Sequence, residues 1–270
     1  MILAAIGALF TTLVWANPTC EELYVNREAG KAEALQALSC YQKEQPQITQ
    51  RDQKAFGLNR MSYLKFFIAE YHLNEKEDML LEGIDLAEKS MLLFGTKYAV
   101  TEYSKLNAEE KKLLAEALYN YGLTTARYID IKGQWEAIKR MEDIKRSMNT
   151  IIRIKEEATA FYGAQRTLGI FHTKVPVIAG GKIELAKDYM NTVLEKTKFS
   201  GDVSRYPANN LAYADLMFKL ENKKEYCHHI NIVAALTEEE VRSMDNGLYF
   251  ESMQSVKEAR KLAVARKCSL

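Results

Sequence analysis

Residues 176–197, PVIAGGKIELAKDYMNTVLEKT, decide the fold. Pro176 disfavours helix in the residue before it and offers no backbone N–H. Gly180 and Gly181 permit backbone angles that other residues avoid. A helix then opens: Ile183, Ala186, Lys187, Met190, Val193 and Leu194 recur at three- and four-residue steps. Small Ala186 allows a neighbouring helix close, and Met190 fills the space left. Pro176, Gly180 and Gly181 are therefore the structural hinge of a helical hairpin.

The same pattern recurs outward from this hinge. On its N-terminal side helices are expected over 19–27, 31–43, 50–72, 78–94, 107–131, 135–154 and 158–173. On its C-terminal side they are expected over 208–220, 226–236 and 248–267. Thr19 is a cap; Asn107 with Glu110, and Thr237 with Glu240, are spaced as capping boxes. Gly95 and Gly133 close helices, and Asp245-Asn246-Gly247 marks a turn. Predicted inward faces include Ala34, Leu35 and Leu38, then Met61, Leu64 and Phe67, then Ile138, Met141, Ile144 and Met148. Residues 199–207 read as a polar loop, and only 175–178 has any strand character. The fold class is all-α: about ten helices stacked as antiparallel pairs in one domain over 17–270. Ala34, Ala87 and Ala186 place a small residue on the packing face of successive pairs. This resembles tetratricopeptide repeats, although the alanines recur about every fifty residues rather than 34. Helical stacks of this kind present a groove.

The chain has 270 residues, 47% apolar and 27% charged, with four prolines and thirteen glycines. Its 37 basic and 36 acidic side chains leave a net charge of +1, which argues against a general nucleic-acid binder. Residues 1–16, MILAAIGALFTTLVWA, form an uncharged apolar run with Val14 and Ala16 placed for signal cleavage before Asn17. The run is short for a membrane span. No Lys or Arg precedes it, and the alternative reading is a buried N-terminal helix or an anchor. Asn17-Pro18-Thr19 before Cys20 does not fit a lipidation signal. Export to the periplasm or exterior makes disulfides the expected fate of Cys20, Cys40, Cys227 and Cys268. Cys20 and Cys40 each lie roughly 13 Å from the turn near residues 28–31, so an antiparallel hairpin sets them side by side. Two free buried thiols are the alternative. Cys227 with Cys268 follows by elimination and needs the C-terminal tail to curl back.

No catalytic set emerges. The histidines are His72, His172, His228 and His229, without an HExxH. Glu238–Glu240 read as a cap and solvated face. Gly180-Gly181 lacks the surroundings of a phosphate loop. His228-His229 reads as a surface pair, with a metal site across helices as the alternative. No cofactor and no metal is expected, and the chain reads as a non-enzyme. Tyr119, Tyr121, Tyr128 and Tyr162 fall on adjacent helices, where they form either the edge of the core or the lining of a groove.

One further feature is a resemblance. FYGAQRTLGIFHTKVPVIAGGKIELAKDYMNTVLEKT over 161–197, and NLAYADLMFKLENKKEYCHHINIVAAL over 210–236, resemble the T component of TRAP transporters (TatT). The shared order is a Tyr-Gly helix, a proline, Gly-Gly, an Ala-Lys helix, and a tyrosine-alanine helix with a short turn. The terminal EARKLAVARK matches in character, so the resemblance covers about 150–267. It implies TPR-like helical repeats, a periplasmic setting, a homo-oligomer, a solute-binding protein as partner, and a hydrophobic ligand. The chain departs from the family in lacking a lipidation signal and in carrying two cysteine pairs. A secreted TPR-like scaffold, binding an envelope protein without any transport role, is the alternative function.

Overall fold

The computed structural model describes residues 18–95, 103–245 and 247–268. The expected signal segment, the 96–102 part of the loop after Gly95, and Asn246 of the expected turn lie outside the described residues.

At the hinge, Pro176 holds an extended backbone before a single 3-10 turn, Val177–Ala179. Gly180 is left-handed at φ 93°, and Gly181 donates its N–H to the Pro176 carbonyl at 3.1 Å. A side chain at Gly181 would meet the Val175 carbonyl oxygen at 1.8 Å, so only glycine fits. The short strand character expected at 175–178 is thus overridden by the turn. Helix α7, Gly163–Lys174, enters the hinge and α8, Ile183–Lys196, leaves it. Gly169 of α7 faces Met190 and Ala186 of α8, and an added Cβ would lie 2.6 Å from the Met190 sulfur. Ala186, Met190 and Val193 are fully buried, as the small-against-large spacing requires.

The rest of the chain repeats this pairing. In order come α1 (Cys20–Val25), α2 (Lys31–Glu44), α3 (Arg51–His72), α4 (Glu77–Leu92), α5 (Ala108–Lys132) and α6 (Gln134–Arg153). After α8 follow α9 (Ala208–Lys219), α10 (Lys223–Ala234), α11 (Glu238–Ser243) and α12 (Tyr249–Ala265). Consecutive helices pack as antiparallel neighbours, and α12 returns onto α10. The described residues hold twelve α-helices, against about ten expected; the short α11, six residues after the Thr237 cap, had no helix of its own in that expectation. Both capping boxes form, at Asn107–Glu110 and Thr237–Glu240, and Thr19 makes a third with Glu22. Ala34 and Ala87 are sealed in the core like Ala186.

Three sequence expectations fail for definable reasons. Helix α7 starts at Gly163 rather than 158, because Ala160, Phe161 and Tyr162 are all left-handed. Residues 198–204 are not a plain loop but a small antiparallel hairpin, β1 (Lys198–Ser200) with β2 (Val203–Ser204). Its Ser204 N–H and hydroxyl are held by Asn210 and Thr197. Leu35 and Ile138 point outward. In α6 the apolar stripe continues from Ile151, Met148 and Ile144 toward the N-terminus, but its first turns leave that stripe uncovered among the described residues. Trp135 and Ile138 are therefore 80% and 70% exposed.

The stack bends until its ends meet. Phe250 of α12 packs edge-on against Phe67 and Tyr71 of α3, with ring centroids 5.5 and 5.1 Å apart. Glu28 accepts a hydrogen bond from the Phe250 N–H at 3.2 Å. Arg27 donates to the Gly247 carbonyl at 3.2 Å and faces Glu251 at 3.6 Å. The concave side of this bend becomes a cavity.

Candidate functional site

The cavity has a volume of about 880 Å³, within the range of pockets that hold small organic ligands. Its wall is drawn from α1, α3, α5, the left-handed segment before α7, Tyr206 before α9, and the start of α12. Aromatic rings dominate: Tyr24, Tyr63, Phe66, Tyr71, Tyr119, Phe161 and Tyr206. Burial pushes the phenols of Tyr24, Tyr63, Tyr71 and Tyr206 up, so each stays a hydrogen-bond donor at neutral pH. The hydroxyl of Tyr63 donates to Glu251. Those of Tyr24, Tyr71 and Tyr206 have no hydrogen-bond partner among the described residues. They are free to meet a ligand.

Charged groups in the wall are mostly neutralised by one another. The guanidinium groups of Arg27 and Arg60 each lie 4.5 Å from the Tyr24 ring centroid. Arg60 binds Glu21 with two nitrogens, at 2.9 and 3.2 Å. Burial opposes ionisation of Glu21, but the Arg60 fork and the Tyr41 hydroxyl hold its carboxyl below the usual value. Arg127 pairs with Glu70 at 2.5 Å and Asp130 at 3.5 Å. Burial pushes the Glu116 carboxyl up, with nearby Arg60 and Lys112 and a hydrogen bond from Asn59 opposing it. Glu28, beside Glu251, is pushed up first by burial and then by that neighbouring carboxylate.

Arg166 is the buried exception. It is 8% exposed, and its Nη1 donates to Asn209 Oδ1 at 2.7 Å and to the carbonyls of Ala160 and Phe161 at 3.3 and 3.5 Å. Nη2 donates to the Tyr119 hydroxyl at 2.6 Å, and the Tyr206 ring lies 4.9 Å away. Every partner is neutral. These bonds explain the three consecutive left-handed residues: the carbonyls that a helix would use internally are turned to Arg166 and Asn209. Left-handed backbone costs about 1–2 kcal/mol per residue, and such strain concentrates at functional sites.

Behind Arg166 a buried polar chain runs into the C-terminal half. Asn209 donates to Thr197 and Ser204, at 3.1 and 3.0 Å, and the two hydroxyls lie 2.6 Å apart. Asn210 bonds the Ser204 N–H and contacts His229 Nδ1 at 3.1 Å. Burial and the adjacent His228 lower His229 to about 4, so it is neutral at physiological pH. The expected surface histidine pair is thus corrected: His228 is exposed and meets Asp202 at 3.0 Å, while His229 is buried in this network.

The residues singled out from the sequence do not build this cavity. Cys20–Cys40 and Cys227–Cys268 each form a disulfide, with Cα atoms 5.5 and 5.2 Å apart. They staple α1 to α2, and α10 to the tail after α12. Both bridges fit an oxidising compartment, and among the described residues no helix is long and apolar enough to cross a membrane. The hinge at Pro176, Gly180 and Gly181 lies away from the cavity, with Val177 and Ile178 exposed on it. Of the four tyrosines proposed for a groove, only Tyr119 lines it; Tyr121 and Tyr128 are core, and Tyr162 belongs to the strained turn. Tyr24, Tyr63, Tyr71 and Tyr206 were missed, since they come from segments far apart in sequence. Cys20, Cys40 and Glu44 lie close enough to hold a metal ion, but both thiols are spent in the disulfide. No family model matches the chain, and no curated protein is similar enough to match.

Proposed function

We propose that this chain is an exported helical-repeat protein that binds a small ligand in its central cavity and works through a protein partner, not as an enzyme. The observation that carries the reading is the cavity itself: about 880 Å³, ringed by aromatic side chains, with three tyrosine hydroxyls left without a partner among the described residues. The two disulfides support an extracytoplasmic setting. Within that reading, the sequence resemblance favours an accessory of the TRAP transporter T-component type. Its partner is then a solute-binding protein, with periplasmic residence after cleavage near Ala16 and self-association of the chain. The resemblance leads to a hydrophobic ligand; the aromatic wall suits an apolar body, and its free hydroxyls call for polar groups on it as well.

A second reading, a secreted scaffold for an envelope protein, is favoured by the start of α6, where Trp135 and Ile138 form an apolar face exposed among the described residues. Cross-linked affinity purification of the mature protein from its own cells separates the two. Recovery of a solute-binding protein or a TRAP membrane subunit supports the transport accessory. Reproducible recovery of other envelope proteins alone rejects it in favour of the scaffold.

A further inference from the structure

We propose that the cavity takes a small organic anion, a carboxylate carried on an apolar or aromatic body, and that Arg166 is its counter-charge. This rests on the reading of the cavity as a ligand site and specifies the chemistry of the ligand. Arg166 lines the cavity and is more than nine-tenths buried. Among the described residues no carboxylate lies within ion-pair distance of it, and all its hydrogen bonds go to neutral oxygens. A buried cation without a counter-ion is costly, and a site that retains one gains most from an arriving anion.

The other charges in the wall sharpen the assignment. Arg60 is committed to Glu21, and Arg127 to Glu70 and Asp130. Glu251 faces Arg27 and accepts from Tyr63. Glu116 lies near Arg60 and Lys112, whose charges favour its carboxylate. Glu156, half-buried on the loop after α6, has no cation partner among the described residues and disfavours a dianion. A monocarboxylate therefore fits better than a polyanion. Nη1 of Arg166 is occupied by three acceptors, but Nε makes no hydrogen bond among the described residues and is not occluded. Nε and the remaining Nη2 hydrogen are the edge of the guanidinium left for a carboxylate. The rings of Tyr206 and Phe161, with centroids 5.9 Å apart beside it, would hold the apolar body.

The strained turn completes the device. Ala160 and Phe161 turn their carbonyls onto Nη1, which fixes the guanidinium plane before any ligand arrives. A site prepared in this way loses little ordering entropy on binding.

The test is a titration of the mature, disulfide-intact protein followed by NMR, using matched probes: 3-phenylpropionate, 3-phenylpropanol and 3-phenylpropylamine. Perturbation of Ala160, Phe161 and Tyr206 signals by the carboxylate, with binding on the order of thirtyfold weaker or absent for the alcohol and the amine, is expected. Equal or tighter binding of the alcohol or the amine overturns the anion assignment while leaving the cavity a ligand site. Failure of all three probes to perturb the wall overturns both the anion assignment and the ligand-site reading. Arg166→Lys keeps the charge but loses the fork, and is expected to weaken the carboxylate more than the alcohol. Because Arg166 also supports the turn, Tyr206→Ala provides a second variant, whose side chain makes none of the turn's hydrogen bonds, expected to weaken the same probe. Carboxylate affinity unchanged in both variants places the probe elsewhere and rejects the proposal.

Discussion

Replacing Cys20 and Cys40 together by alanine removes the staple between α1 and α2, and the structure fixes the size of the effect. Six-residue α1 is too short to persist as a helix alone. It is held by the disulfide, by the Glu21 carboxylate with Arg60 and Tyr41, and by its capping box. The bridge closes a loop of sequence separation 20; the chain-entropy relation converts this to about 3 kcal/mol. At about 2–4 °C per kcal/mol for a domain of this size, the midpoint of thermal unfolding should fall by roughly 6–12 °C. The 41-residue separation of Cys227 and Cys268 gives about 4 kcal/mol and a somewhat larger fall. Circular dichroism melts of both double variants, beside the oxidised parent, measure these shifts. Loss of the first bridge should also disturb ligand binding, since α1 supplies Tyr24 to the cavity. Unchanged melting in both variants, or four titratable thiols in the native oxidised protein, would refute the reasoning.

Four further predictions follow from single groups. Gly181→Ala sets a methyl against the Val175 carbonyl, which is rigid backbone; a loss of about 1–3 kcal/mol in urea unfolding is expected, and a neutral outcome rejects the hinge geometry. Burial raises the Glu116 carboxyl above its ordinary 4.5, so its charged form is carried at a cost at neutral pH. Glu116→Gln should therefore raise stability at pH 7, with the gain shrinking as pH falls through the raised value toward 4.5, where the folded parent protonates first, and level below it; a gain that grows in acid contradicts this. His229, ordinarily near 6.5, is lowered to about 4 in the fold. The unfolded chain then binds the extra proton between these values, so stability should fall as pH drops from 6.5 toward 4, and His229→Gln should flatten that part of the profile. Trp135→Asp with Ile138→Asp should leave the melting temperature within about 1–2 °C, because both are exposed. Under the scaffold reading the same variant loses its captured envelope partner.

Periodicity made the helical stack legible because each helix exposes one face and buries the other, and this leaves a local trace. Capping boxes, the hinge and the first cysteine pair were readable for the same reason: every partner lies on the same or the next element. The cavity left no such trace. Tyr24, Tyr63, Tyr119 and Tyr206 come from four different parts of the chain, and only the bend of the stack brings them together. The start of α7 was misread because Phe161 continues the apolar spacing of Ala164, Leu168 and Phe171. What turns the chain there is partly distant in sequence: Asn209, from α9, bonds the Phe161 carbonyl, and Arg166 bonds those of Ala160 and Phe161. Ile138 was misread for the opposite reason, since its stripe is genuine but has no neighbour to cover it.

The central claim is that the cavity holds a small molecule, and native mass spectrometry of the mature protein purified gently from its own cell envelope tests it most directly. The account predicts a single small adduct that is released on denaturation and absent from Ala126→Trp, which fills the cavity from α5. A bare protein mass from every gentle preparation, or an adduct that survives unchanged in Ala126→Trp, would contradict it.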